Sequence, residues 1–378
     1  MRKILALAFV FSLLFSSTYL LAQKKSTKAQ PKKQATETTP KPPKQEILPS
    51  LAIKRVDAEN VEIELKPGTV EFALFLSDDT AFAKVLAEQK LEKASITDDT
   101  LKLSLNTKTK RIEALIATNW NKKSEKLVVT GLNPKTLYSF GLYRRYPDSC
   151  FLIQSYVFNT LAIEPTRQAQ QVSFGEVTDT TIFVRFVKGN GEGRILVGAK
   201  GDKVDLPEDG KEYRASSRFG STESRLGNSF VLYDGKDRLP ELTTTNLEPG
   251  TKYTFAVFEY NGDGKYRNYN VSSASNNPRS KATRLNPPEI LNVEFVAPDG
   301  AFVKWKKVAN AVTYILDVAL DEEFRNKVDF YNEVDVGNLD TFELSDLVEG
   351  TTYYIRLKAR GIGGESLYSK PVKLKVEK

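Results

Sequence analysis

The chain has 378 residues, 40% of them hydrophobic and 27% charged, with one cysteine and no histidine. That length exceeds the roughly 250–300 residues at which a single core stops growing, so two or three domains are expected; the lone Cys150 excludes an internal disulfide, and the missing histidine removes the commonest general base and metal ligand. Of the net charge of +7, residues 1–22 carry +2 and residues 23–45 carry +6, which leaves the rest near neutrality and argues against a basic groove for nucleic acid.

Arg2 and Lys3 precede an apolar run from Ile4 to about Phe15, followed by Ser16, Ser17, Thr18 and Ala22. This is the pattern of a secretory signal peptide over residues 1–22. Its apolar run is shorter than the roughly 20 residues that span a bilayer, so no transmembrane segment is expected in the mature chain. Cys150 is far from the cleavage point, which speaks against a lipid anchor, and a free thiol in an exported protein reads as a small buried hydrophobe. Residues 23–49 are built mostly from Lys, Gln, Thr, Ser, Ala and Pro, with no aromatic residue and almost no large aliphatic one. Such a segment cannot bury enough apolar area to offset its ordering entropy, so a disordered Lys/Pro/Thr-rich linker is expected, stiffened by Pro31, Pro40, Pro42, Pro43 and Pro49. It reads as a stalk, the alternative being a basic arm for an anionic envelope polymer.

The first domain is expected over 50–162. Val61, Ile63, Leu65 and Phe72, Leu74, Leu76 alternate as strands do, and Phe82, Val85 and Leu86 have the spacing of one short helix. At Leu132-Asn133-Pro134-Lys135-Thr136-Leu137-Tyr138 an apolar residue ends a strand, a turn follows, and a Tyr opens the next strand. The second domain, 163–285, repeats this as Leu247-Glu248-Pro249-Gly250-Thr251-Lys252-Tyr253; the third, 286–378, as Leu347-Val348-Glu349-Gly350-Thr351-Thr352-Tyr353. Three corners at intervals of 115 and 100 residues predict three sandwiches, each with a Tyr ring in the core and its hydroxyl bonded to the upstream backbone. In the second domain the glycines of Lys188-Gly189-Asn190-Gly191-Glu192-Gly193 lead into another strand and not a helix, which makes a hairpin turn of them and not a phosphate loop. Residues 201–235 read as one long connection across the face or edge of that sandwich. In the third, Tyr354, Arg356, Lys358 and Arg360 alternate with apolar residues and predict a wet outer sheet face. A second internal match, Phe72-x-Leu74-x4-Asp79-x2-Phe82 on Tyr314-x-Leu316-x4-Asp321-x2-Phe324, supports the repeat.

With Trp305 in an early strand, the corner tyrosines, and the run Gly350 to Ala359 followed by Gly364-Glu365-Ser366, the chain resembles fibronectin type III domains. The middle domain resembles a variant frequent in exported bacterial proteins. The first lacks the early Trp and is the divergent copy. The resemblance implies an all-β fold of three tandem immunoglobulin-like sandwiches acting as spacers, adhesion modules or accessory modules.

Catalysis finds no constellation. Asp78-Asp79, Asp98-Asp99 and Asp321-Glu322-Glu323 sit at predicted turns, where Asp caps local amides. Asn261-Gly262-Asp263-Gly264 offers a single carboxylate and lacks the spacing of a calcium loop. The chain is expected to be non-enzymatic, with no cofactor and no metal. The candidate partner-binding residues are Tyr143, Arg144, Arg145 and Tyr146 in the last hairpin of the first domain and Tyr266, Arg267 and Tyr269 in that of the second, because Tyr and Arg form interface hot spots and stack on sugar rings. The structural set is Tyr138, Tyr253, Tyr353 and Trp305. The expected function is an exported scaffold in the periplasm, at the outer membrane or outside the cell, contacting an envelope or surface protein; the alternative is a glycan- or peptidoglycan-binding protein, and nucleic acid is not expected.

Overall fold

The computed structural model describes residues 45–66, 68, 72–77, 95–96, 100–102, 113–117, 119–120, 126–146, 150–236 and 241–377. The predicted signal peptide, most of the predicted linker, the helix expected at Phe82–Leu86 and the pairs Asp78-Asp79 and Asp98-Asp99 lie outside the described residues. So does the side chain of Cys150, whose burial was expected.

The first sandwich contains β1 (Ser50–Val56), β2 (Asn60–Lys66), β3 (Phe72–Ser77), β4 (Ser95–Ile96), β5 (Thr100–Lys102), β6 (Glu113–Ala117), β7 (Asn119–Trp120), β8 (Lys126–Thr130), β9 (Leu137–Arg145) and β10 (Cys150–Asn159). One sheet runs β1-β2-β8-β5 and faces a second of order β10-β9-β3-β6, with β4 and β7 paired apart. Alternation decides what lies between them: Val61, Ile63, Leu65, Leu74, Leu76, Leu127, Val129, Phe140 and Leu142 are all fully buried in one core.

The second sandwich holds β11 (Gln170–Val177), β12 (Ile182–Val187), β13 (Gly193–Lys200), β14 (Arg225–Leu226), β15 (Ser229–Gly235), β16 (Glu241–Thr244), β17 (Lys252–Asn261), β18 (Asn268–Tyr269) and β19 (Arg279–Ala282). Its sheets run β11-β12-β16 and β14-β15-β13-β17-β18, with β19 also on β17. The third holds β20 (Glu289–Val296), β21 (Gly300–Lys306), β22 (Thr313–Ala319), β23 (Val334–Asp335), β24 (Thr341–Leu344), β25 (Thr352–Gly361), β26 (Gly364–Glu365) and β27 (Val372–Lys375). Its sheets run β20-β21-β24 and β23-β22-β25-β26, with β27 also on β25. A common plan runs through all three, with β1-β2-β8, β11-β12-β16 and β20-β21-β24 facing sheets built around β3-β9, β13-β17 and β22-β25; the first adds β5, parallel to β8.

Each corner carries the chain from one sheet to the other. The Tyr138 hydroxyl accepts the Asn133 N–H at 2.9 Å, Tyr253 that of Glu248 at 2.8 Å, and Tyr353 that of Val348 at 3.0 Å, always five residues upstream. All three rings are buried. The repeat reaches further than the corner: Thr160 and Thr283 occupy matching places, each hydroxyl donating to the carbonyl after the corner Leu (Asn133 at 2.6 Å, Glu248 at 2.6 Å) and accepting the N–H of Thr136 or Thr251. Trp305 is buried in the third core with its ring 5.5 Å from Tyr314.

The second sandwich departs from the simple plan. Strands β13 and β17 are buried along both faces, because Ile195, Val197, Ala256, Phe258 and Tyr260 form a second apolar cluster on the side away from the sandwich core. The connection expected over 201–235 ends earlier, because Ser229–Gly235 is strand β15 of the sheet with β14 at its edge; the stretch over 201–228 crosses that face and closes it with Val204, Tyr213 and Leu226.

Candidate functional site

The hairpin after the corner strand is where recognition was expected, and the structure treats its three copies differently. In the second sandwich Arg267 is only 5% and Tyr269 only 2% exposed. The guanidinium donates to Asp234 at 2.6 Å, to the Tyr269 hydroxyl at 3.2 Å and to Glu212 at 3.2 Å, and stacks 3.9 Å over the Tyr260 ring. Tyr260 donates to Asp234 at 2.7 Å; burial and that neighbouring carboxylate hold its hydroxyl well above the ordinary phenol range, so it stays a donor. Tyr269 donates to the Lys211 carbonyl at 2.9 Å, and its own N–H bonds Asp209 at 2.8 Å. Arg267 and Tyr269 are thus pins for the long connection and not surface contacts, which corrects the expectation for both. The physical reason is the apolar outer face of β13 and β17, which needs a cover and recruits the hairpin's polar groups to fasten it.

The rest of that hairpin holds the segment joining the first two sandwiches. Asn261, Asn268 and Asn270 donate side-chain N–H groups to the carbonyls of Ile163, Ala162 and Pro165 at 2.7–2.8 Å, and Ala162 donates its N–H to Tyr266. Tyr266 is half-buried beneath Lys265. The third sandwich does the same with glycine: a Cβ on Gly363 would lie 1.9 Å from the Thr283 carbonyl oxygen, so only glycine lets the two segments approach this closely.

In the first sandwich the equivalent hairpin meets the start of the described chain, where Arg144 pairs with Glu46 at 2.7 Å. Tyr143 is buried, Arg144 sits 4.8 Å over Tyr146, and the side chain of Arg145 lies outside the described residues. Tyr146 is 38% exposed and meets Phe151, itself 63% exposed, edge to face at 5.5 Å. Phe151 was not among the expected residues, although its position at the start of an uncharged strand marked it.

The glycine-rich turn holds an anion after all, one supplied by the chain. Glu259 is fully buried, and its carboxylate accepts the N–H groups of Gly189 at 2.8 Å and Gly191 at 3.0 Å and the Nε of Arg194 at 3.1 Å. A Cβ on Gly193 would come within 2.3 Å of the Tyr260 ring. The backbone nest that elsewhere takes a phosphate here takes a side chain.

On the third sandwich Arg356 lies between the rings of Phe324 and Tyr368, 3.9 and 3.8 Å away, and donates to Asp317 at 2.9 Å. Asp317 is fully buried and also accepts from Lys327 at 3.2 Å and from the Glu333 N–H at 2.8 Å. Burial works against its carboxylate, but the Glu333 amide and the two cations prevail and hold it below the usual carboxylate range. A depressed native pKa means that its contribution is complete above the unfolded value near about pH 4 and is lost as pH falls through the native one. Asp317→Asn is expected to destabilise this sandwich by about 1.5–3 kcal/mol at neutral pH. Urea titrations of both proteins check this, and their difference should shrink as the pH falls below the unfolded value of about 4. Asp321 caps the N–H groups of Arg325 and Asn326 at 3.1 and 2.6 Å, a turn role.

One concave apolar surface stands out. Between β18 and β19 the edge of β17 has no strand beside it; the Asn277 side-chain amide substitutes, accepting the Val257 N–H at 3.0 Å and donating to its carbonyl at 2.8 Å. Next to it opens a groove of about 340 Å³ lined by Val204, Leu206, Ala256, Phe258, Val271 and Pro278, with Asp202 and Lys203 at its rim. Among the described residues no group of acidic, cysteine or histidine side chains has the arrangement of a metal site.

Strand order, inter-sheet corners and the corner tyrosines together decide the architecture. The three sandwiches have an immunoglobulin-like fold, similar to that of fibronectin type III domains. No family model matches the chain. Over 256 residues it is 25% identical to the receptor-type tyrosine-protein phosphatase eta of Gallus gallus, a match that takes in 64% of this chain and 15% of that protein. The chain thus spans a small part of the length of the curated relative it matches. Among solved structures, the crystal structure of the chicken CNTN1 FN1–FN3 domains is 15% identical, covering 87% of this chain and 98% of that one at a TM-score of 0.28.

Proposed function

We propose that this chain is an exported, non-enzymatic interaction scaffold: a basic spacer over 23–49 followed by sandwich units over 50–162, 163–285 and 286–378 that bind other proteins at the cell envelope or outside it. The observation that carries this reading is the groove beside the interrupted edge of β17, with an apolar floor of Ala256 and Phe258 and a polar rim. That is the form in which a rigid sheet receives an apolar side chain of a partner. Export is supported by the signal-like residues 1–22, and no helix among the described residues is long and apolar enough to cross a membrane. A glycan platform calls for aromatic rings side by side on one face. Tyr146 and Phe151 instead meet edge to face, and Arg267 and Tyr269 are buried, so we favour a protein partner over a polysaccharide.

The test is capture by the full-length chain from envelope and culture fractions of the cells that make it, with a Leu206→Glu, Val271→Glu variant beside it. Both positions are substantially exposed, so thermal unfolding should not change. A defined protein should be retained by the unaltered chain and lost by at least about tenfold in the variant. Equal capture by both, or recovery of polysaccharide alone, would remove the groove from the proposal.

A further inference from the structure

The last strand of the sandwich occurs three times, and its three copies protect their outer edge differently. In the second sandwich it is β19, four residues reading Arg-Ser-Lys-Ala; in the third it is β27, four residues reading Val-Lys-Leu-Lys. Short edge strands bearing Lys or Arg are how sheets avoid pairing with other chains. Strand β10 stands at the same place, at the end of the order β10-β9-β3-β6, and has neither safeguard. It is ten residues long, Cys-Phe-Leu-Ile-Gln-Ser-Tyr-Val-Phe-Asn, with no charge and no proline. Three of its apolar side chains face solvent: Phe151 at 63%, Leu152 at 52% and Val157 at 59% exposure.

Its register adds a second observation. Ser155 pairs with Gly141 and Val157 with Ser139 on the outer face, while Tyr156 and Phe158 pair with Phe140 and Tyr138 on the core face. Between Leu152, opposite Tyr143, and Gln154, opposite Leu142, Ile153 is an extra bulged residue, so Leu152 also lies on the outer face. Residues directly opposite in an antiparallel pair must share a face. Placed antiparallel on itself with Ser155 on the axis, β10 meets this condition along its length. Tyr156 faces Gln154, Val157 faces Leu152, and Phe158 faces Phe151, with Ile153 passed over on both strands. Slipping one strand by a single residue, which moves the axis by half a residue, sets outward side chains against inward ones, and moving the axis by a whole residue shortens the overlap.

We propose that β10 is a self-association edge: it pairs antiparallel with β10 of a second copy of this chain across a two-fold axis through Ser155, fusing two four-stranded sheets into one. Charge favours this occupant. Two uncharged edges meet without like-charge repulsion, whereas β19 or β27 paired on itself would gather Arg279 with Lys281, or Lys373 with Lys375, along one seam. The Val157 and Leu152 side chains leave water together, and an isologous contact of this kind closes at a dimer.

Sedimentation velocity of the full-length chain across the micromolar range should show a species of twice the chain mass. Val157→Lys should weaken the dimer by at least about tenfold, and adding Leu152→Lys, which opposes like charges, should abolish it. Combining Val157→Lys with Leu152→Glu places opposite charges across the axis and should restore association. In a Cys150→Ser background, Ser155→Cys should form an intermolecular disulfide on oxidation, since opposite Cα atoms approach to about 4.5–5.5 Å, whereas Val157→Cys should not. A chain that stays monomeric throughout overturns the proposal. So does a dimer indifferent to Val157→Lys, a cross-link at 157 in place of 155, or a monomer whose β10 is protected only when another protein is added.

Discussion

Glu259→Ala is expected to destabilise the second sandwich by about 3–5 kcal/mol. The carboxylate has no solvent to fall back on, and neither does the 4%-exposed guanidinium of Arg194 at 3.1 Å. Deleting the anion removes an acceptor from the buried Arg194 Nε and from the amides of Gly189 and Gly191, and each such loss is dear in a low-dielectric interior. Glu259→Gln keeps the volume but turns an NH₂ toward at least one donor, so it should recover little. Arg194→Met combined with Glu259→Leu removes both charges and should regain part of the loss, leaving the glycine amides as the residue of the effect. Because three sandwiches unfold in one chain, a global melt mixes them. Hydrogen exchange at β13 and β17 reads the second alone, and protection there falling by less than about tenfold would mean the buried pair contributes little.

What was legible in the chain was whatever is written locally. The corner is a seven-residue pattern whose Tyr hydroxyl reaches only five residues back, so three copies announced three sandwiches. Strand alternation likewise placed Val61, Ile63 and Leu65, or Tyr353, Ile355 and Leu357, in cores. The glycine-rich turn leads into a strand as expected, but it is not the expected hairpin, since β12 and β13 lie in opposite sheets and the turn crosses between them; the anion it holds comes from 70 residues away, beyond any local signal. The hairpin residues Arg267 and Tyr269 were misplaced for a related reason. A Tyr and an Arg near a turn look alike whether they face solvent or fasten a cover. The difference lay in the neighbouring strands, where Arg194 to Ala199 and Tyr253 to Tyr260 carry apolar side chains on both faces instead of alternating. A doubly apolar strand in an antiparallel sheet needs a second layer, and the connection over 201–228 is that layer.

Arg267→Ala is the other large effect, and its location matters as much as its size. The guanidinium ties β18 to Asp234 on β15, to Glu212 in the connection and to the faces of Tyr260 and Tyr269. Its removal leaves the largely buried Asp234 carboxylate with the Tyr260 hydroxyl as its remaining close partner in that network and opens a void between two rings, a loss of about 3–5 kcal/mol. The core of the sandwich lies on the opposite side of β13 and β17, built from Val172, Val184, Leu196, Phe255 and Val257, and does not include Arg267. Exchange should therefore accelerate first in 201–228, with Tyr213 and Leu226 freed, while β12 and β16 keep most of their protection. Arg267→Lys keeps the charge but cannot reach Asp234, Glu212 and the Tyr260 face together, and should fall between the two. A surface contact residue behaves in the opposite way: truncation leaves exchange untouched and removes only binding. A variant that folds and exchanges like the parent would return Arg267 to the surface and take the cover with it.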